Sequence, residues 1–189
     1  MALQPLDASR SNPSAGGPSF SLSNRVLRGI WNLTWLLLAS WTPPPLKPWR
    51  RLLLKLFGAK LGAGTDVRGS ARVWYPPHLR MGDHAVLGPR VHCYNMAPIH
   101  LGPGALVAQG AYLCAGTHDI TSPVFQLTTR PITIEAKAWI AAEAFVGPGV
   151  VVGEGAVLGA RGVAFKSLEP WGVYAGNPAK RIKTRVLRA

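Results

Sequence analysis

Residues 134–164 divide into sixes as IEAKAW, IAAEAF, VGPGVV, VGEGAV, LGARGV and a final A. Ile134, Ile140, Val146, Val152, Leu158 and Ala164 each open a block. The same spacing holds upstream at Leu61, Val67 and Val73, at Met81, Leu87 and Cys93, and at Leu101, Val107 and Leu113. Glycine often follows the opening residue, at Gly62, Gly82, Gly88, Gly102, Gly147, Gly153 and Gly159, and four positions after it stands a small residue such as Ala71, Ala85, Ala105, Ala138 or Ala156. A helix repeats near 3.6 residues and a lone strand at two, so neither sustains a period of six. A coil of short strands does. Its aliphatic side chains point into a narrow prism, alanine fits beside them, and stacked coils bury one continuous apolar column. The glycines are expected to supply unusual backbone angles at the corners.

This pattern resembles the hexapeptide-repeat acyltransferases, and the resemblance covers roughly Leu61 to Arg181. It implies an all-β fold, a left-handed parallel β-helix with three hexapeptides per coil. The expected coils are 61–78, 81–98, 101–118, 134–151 and 152–169, with two-residue slips at 79–80 and 99–100 and an extruded loop at 119–133. Around the 61–169 domain the chain reads as a flexible Ser-, Gly- and Pro-rich tail at 1–22, an amphipathic helical segment at 23–60, and a basic C-terminal extension at 170–189 that continues as helix. Ser23 or Asn24 is the expected helix cap, and Pro43 to Pro45 the break.

Composition agrees with a turn-rich β architecture: 21 Gly and 17 Pro, 48% hydrophobic and 15% charged residues in 189. Twenty-one Lys and Arg against eight acidic residues give a net charge of +13, which points to an anionic partner. The cations crowd the two ends, including Arg25, Arg28, Arg50, Arg51 and Lys55 early and Lys180, Arg181, Lys183, Arg185 and Arg188 late. A coenzyme with phosphates and an anionic membrane account for that distribution. Nucleic acid is the weaker reading, because no recognised binding motif accompanies the charge. Cys93 and Cys114 are the only cysteines, and no segment reads as a signal peptide. Cytoplasmic placement follows, with contact to the inner face of the membrane as a further expectation.

Among five histidines, His118 has the most specific setting, closing Leu113-Cys114-Ala115-Gly116-Thr117-His118 just before the extruded loop. The segment is similar to the catalytic histidine segment of sugar O-acetyltransferases, and with Pro131-Ile132-Thr133-Ile134 it resembles the colanic acid biosynthesis type most closely. Histidine, with an ordinary pKa of about 6.5, can take the proton of a sugar hydroxyl as it attacks a thioester. His78, His84, His92 and His100 lack metal-ligand spacing, and no metal is expected.

The resemblance implies further roles. Asn95 would bind the acceptor, with a β-helix corner as its competing structural role; Asp119, from its place beside His118 and not from the resemblance, is a candidate either to bind the acceptor or to orient the imidazole. Trp139 would lie along the thioester arm of acetyl-CoA. The Ala142 amide would face the developing oxyanion, although Glu135, Ala141 and Ala142 replace residues usual in the family and put the corner geometry in question. Ala160, Lys166 and Arg181 would bind the rest of the coenzyme. The family also implies a homotrimer with active sites between subunits and a sugar or lipid-linked sugar as acceptor. Cys114 is a rival nucleophile, and a non-catalytic β-helix scaffold is the rival function. Trp31, Trp35, Trp41 and Trp49 among leucines and cations fit both an interfacial membrane element and a cap on the open end of the β-helix.

Overall fold

A computed structural model describes residues 4–187; Arg188 and the first three residues of the expected tail lie outside the described residues. The hexads wind into a parallel β-helix with three faces. The first face stacks Lys60–Leu61, Leu79–Met81, Ile99–Leu101, Ile132–Ile134 and Val151–Val152. The second stacks Asp66–Val67, Val86–Leu87, Leu106–Val107, Trp139–Ile140, Val157–Leu158 and Gly172–Ala175. The third stacks Arg72–Val73, His92–Tyr94, Tyr112–Cys114, Phe145–Val146 and Val163–Ala164. From Val67 onward, every residue that opens a hexad is buried, as is the alanine column beside it. The two slips gain a purpose in register: Leu79, Ile99 and Ile132 pair across successive coils and bury a second aliphatic ladder.

The glycines work differently from the expectation. Gly62, Gly82, Gly88, Gly102, Gly147, Gly153 and Gly159 do not have positive φ. They are needed because the next coil runs too close: a Cβ on Gly102 would stand 2.6 Å from the Ala136 nitrogen, and one on Gly82 2.7 Å from that of Pro103. The left-handed backbone falls two residues later, on Gly64, Gly104 and Gly155 but also on His84, Arg90, Lys137, Glu143 and Arg161. The turn therefore takes positive φ at its third residue, as a type II turn does. The corners after Glu135 and Ala141 keep this form, with Lys137 at φ 57° and Glu143 at φ 58°.

The ladders bond successive coils in both directions, and His84 N of the second coil donates to Ala63 O of the first. Amides of the first coil donate to carbonyls of the second, as in Asp66 N to Ala85 O and Arg72 N to Val91 O. The first-coil carbonyls that face away from the second coil, those of Gly62, Val67, Gly69 and Val73, are left at the open end without ladder donors. Helix α2 (Leu22–Leu38) and helix α3 (Lys47–Leu56), which follow the short helix α1 (Ala8–Ser11), supply them. Trp31 Nε1 donates to Val73 O at 2.7 Å and Trp35 Nε1 to Gly69 O at 3.0 Å. Arg50 Nε donates to Val67 O at 2.7 Å and Arg51 Nη2 to Gly62 O at 3.0 Å. Indole and guanidinium groups only donate, which is what a row of carbonyls requires. Arg50 is fully buried, and its other nitrogens reach Thr42, Pro43, Pro44 and Asp66. Trp31, Trp35, Leu53 and Leu54 close the apolar column below.

Three flanking expectations are corrected. The cap of α2 is Ser21, whose Oγ accepts from the Asn24 amide. The segment expected as a flexible tail carries α1 and a 3-10 turn at Pro13–Ala15, and buries Ala8 and Phe20. Its polar composition concealed these two anchors. The basic extension is a strand and not a helix: Lys180–Thr184 pairs antiparallel with Gly172–Ala175 and finishes the second face.

Trp31→Phe removes one donor while keeping a ring, and should lower unfolding free energy by about 1–3 kcal/mol, the cost of an unpaired buried carbonyl. Arg50→Met should cost more, about 3–5 kcal/mol, because it also strips a buried ion pair of its cation. Urea unfolding of the two variants against the parent protein checks both the sign and the order.

Candidate active site

The third coil ends at Cys114, and the chain leaves it as a hairpin with arms Gly116–His118 and Leu127–Thr129. The excursion thus begins three residues before the expected 119, and Ile132 and Thr133 already belong to the first face. Gly116 makes the departure possible, since a Cβ there would lie 2.6 Å from Met96 Sδ. His118 pairs across the hairpin with Leu127, and its ring stacks on Phe125 with centroids 4.4 Å apart. Its Nδ1 stands 2.8 Å from the Phe125 carbonyl oxygen. A carbonyl can only accept, so Nδ1 carries the hydrogen and Nε2 keeps its lone pair.

Sequence reasoning missed the residue that ties this hairpin down. Gln126 Oε1 accepts from the Ala8 amide at 2.7 Å, while its Nε2 donates to the Leu6 carbonyl at 3.1 Å. Leu6 in turn bonds Ser19 through its amide. The N-terminal segment therefore forms a strap along the hairpin, and residues 16–20 wall a cleft of about 390 Å³ that also touches Trp74, Tyr94, Met96 and His118. Only a contact between residues about 120 positions apart reveals it.

Asn95, the expected acceptor-binding residue, lies at a corner of the coil beneath the hairpin. Its side chain is fully buried, Oδ1 accepting from the Tyr75 amide at 2.9 Å and Nδ2 donating to the Tyr75 carbonyl at 2.8 Å. It mimics a backbone strand at a corner, the competing structural role. Asp119 is not the group that orients the imidazole. Its Oδ1 accepts from the Thr121 amide and hydroxyl, and these bonds hold its carboxyl below the usual range.

The expected coenzyme residues fall in two places. Trp139 lies half-exposed on the second face, and Ala142 and Ala160 occupy the corner that follows it, one coil apart. The Ala142 carbonyl accepts from Arg161, whereas its N–H donates to no group among the described residues. Lys166 is exposed at the next corner, beyond the third face. Arg181 sits on the last strand, 3.3 Å from Glu169. Between the Trp139 corner and the His118 hairpin runs the whole third face, an aromatic ladder of Trp74, Tyr94, Tyr112, Phe145 and Phe165 with centroids 5.6–6.2 Å apart. One chain does not bring His118 and Trp139 together. Among the described residues no group of three His, Cys, Asp or Glu could hold a metal ion.

The cysteines offer no activated nucleophile. Burial pushes the Cys93 thiol up to about 12 and raises that of Cys114 as well, and Cys114 Sγ donates to the Gly116 carbonyl.

The chain is 40% identical over 167 residues to the colanic acid biosynthesis acetyltransferase WcaF of Escherichia coli (strain K12), covering 88% of this chain and 92% of that protein. It matches the fold of a hexapeptide-repeat acetyltransferase from Vibrio cholerae O1 biovar eltor complexed with acetyl coenzyme A, with a TM-score of 0.76 at 20% identity over 95% of this chain and 92% of that one. A maltose O-acetyltransferase from Clostridium difficile 630 gives a TM-score of 0.74 at 19% identity, over 88% and 90% of the two chains. No protein-family model matches.

With raised thiols, both cysteines should alkylate slowly. Native protein treated with iodoacetamide at pH 8 should carry label only at the half-buried Cys114, and unfolded protein should take two labels within minutes; mass spectrometry of the intact chain distinguishes these outcomes.

Proposed function

The chain belongs to the WcaF family of hexapeptide-repeat acetyltransferases, and on that premise we propose that it transfers the acetyl group of acetyl-CoA to a hydroxyl of a sugar in a glycan precursor, with His118 as general base. The observation that carries this reading is the bond from His118 Nδ1 to the Phe125 carbonyl, which leaves Nε2 free to accept a proton beside an open cleft. The acceptor hydroxyl gives its proton to Nε2 as its oxygen bonds to the thioester carbon. The carbonyl oxygen becomes an oxyanion, for which the unengaged Ala142 N–H is a suitable donor. Collapse breaks the carbon–sulfur bond, and the departing thiolate takes the proton back from His118. No covalent acyl-enzyme forms, in keeping with the raised Cys114 thiol.

Because His118 and the Trp139–Ala142–Ala160 edge stand on opposite sides of the third face, we place the working site between copies in a homotrimer. Trp139, Ala142 and Ala160 of one copy would then meet His118 of the next. Lys166 and Arg181 serve the coenzyme phosphates, and Asp119 keeps Oδ2 for an acceptor hydroxyl. His118→Ala should lower turnover by a factor on the order of 100 to 10,000, with acetyl-CoA affinity and fold retained, whereas Cys114→Ala should leave turnover near normal. Steady-state kinetics with calorimetry checks this, and near-normal turnover of the His118 variant would overturn the mechanism.

The helices suggest where the protein works. Their inner faces seal the β-helix, while Leu22, Val26, Ile30, Leu33 and Leu37 of α2 and Leu52 and Leu56 of α3 stay exposed, and no acidic residue occurs between Asp7 and Asp66. Among the described residues no helix is long and apolar enough to cross a membrane. An apolar outer face with only cations around it suits peripheral attachment to an anionic leaflet from the cytoplasmic side. The pair Leu33→Glu and Leu37→Glu should therefore weaken binding to phosphatidylserine-containing vesicles at least tenfold in sedimentation, with unchanged circular dichroism.

A further inference from the structure

The cleft beside His118 contains more positive charge than a neutral sugar needs. Arg25 and Arg28, one turn apart on α2, both line it, and no acidic residue does. Neither arginine lies within ion-pair distance of a carboxylate among the described residues. Arg28 is held in place: its guanidinium lies 4.2 Å over the Trp74 ring, and its Nε donates to Asn24 Oδ1 at 2.9 Å. Its two Nη groups donate to nothing among the described residues. Burial lowers the Arg28 guanidinium from its usual range; Tyr94 opposes this, and the like charge of Arg25 adds to it. Asn24 is itself 4% exposed, and its Nδ2 has no hydrogen-bond partner. The cleft also adjoins the start of α2, whose first turn contains no acidic residue to offset the helix dipole.

Two unpaired guanidiniums one turn apart, Arg25 exposed and Arg28 half-buried, repel one another, and an anion between them reverses that cost. A volume of about 390 Å³ falls within the range of small-molecule sites. We propose that Arg25 and Arg28 form a phosphate subsite for the acceptor, so that the sugar acetylated at His118 is one carried on a phosphate or diphosphate. This deepens the proposed function and rests on its assignment of His118. We assign the anion to the acceptor because the subsite shares its cleft with the base, whereas Lys166 and Arg181, assigned to the coenzyme phosphates, do not line that cleft.

The test uses the full chain, acetyl-CoA and four acceptor forms: free sugars, their 1-phosphates, the nucleoside-diphosphate sugars, and the same sugars on polyprenyl diphosphate in detergent micelles. Phosphorylated forms should exceed free sugars in kcat/KM at least tenfold, the scale of a charge-assisted hydrogen bond. Arg25→Gln, an exposed change, should erase most of that preference through KM, with the acetyl-CoA Kd unaltered in calorimetry; Arg28→Lys should retain more of it than Arg28→Gln. Inorganic pyrophosphate should compete with the acceptor but not with acetyl-CoA. A preference shared by nucleotide- and lipid-linked forms, or confined to the lipid-linked form, supports the subsite and identifies the carrier. Equal use of free and phosphorylated sugars, or arginine variants that lose acetyl-CoA affinity instead, would overturn it. Should no acceptor be acetylated, the general-base reading fails, and the subsite then stands or falls on calorimetric pyrophosphate binding by wild-type protein against Arg25→Gln.

Discussion

A row of carbonyls without donors is the condition on which this fold turns. The parallel ladders bond each coil to the next, but the Gly62, Val67, Gly69 and Val73 oxygens of the first coil point off the end of the solenoid. Left bare, they would either lose hydrogen bonding in an apolar setting or recruit another chain's amides. Two tryptophans and two arginines meet them one for one. The choice of residue follows from the task, since each of these side chains donates without accepting and brings apolar surface to cover the column beneath.

That solution constrains the helices that deliver it. To aim Trp31 and Trp35 at the coil edge, α2 must turn one face inward along 24, 28, 31 and 35, and its leucines, valine and isoleucine are then obliged to face outward. The same rotation brings Arg25 and Arg28 to the rim of the cleft beside His118. End-sealing, surface character and cleft chemistry are consequently not independent properties of this segment. A change in the pitch or phase of α2 would disturb all three.

Much of the fold was legible because the β-helix interior is filled locally: hexad openers and their alanines meet equivalents about one coil away, and period alone reports it. The place of His118, on the excursion that leaves the third coil, was legible from its segment. What escaped was whatever depends on distant contact or on the identity of a bonding partner. The spacing of Asn95 does not disclose that Tyr75 engages its amide, nor that of Asp119 that Thr121 occupies its Oδ1. Glycine at Gly102 reads alike whether it answers a dihedral or a neighbour's approach, and here the neighbour decides. The strand at Lys180–Thr184 was hidden by its charge, because it borders the solenoid and needs no buried face.

The clasp at Gln126 has a bearing on the order of folding. Its target amide and carbonyl lie near the N-terminus, yet the hairpin that receives them departs from the third coil. Leu6 and Ala8 therefore have nowhere to dock until three turns of the solenoid are in place. Once those exist, only the short tether between Ala8 and Ser21 separates the clasp from its anchored root, so closing it requires little loop entropy and opening it disturbs no ladder. The strap precedes the solenoid in sequence yet docks on a part of it that forms later, and it can let go while the ladders stay intact.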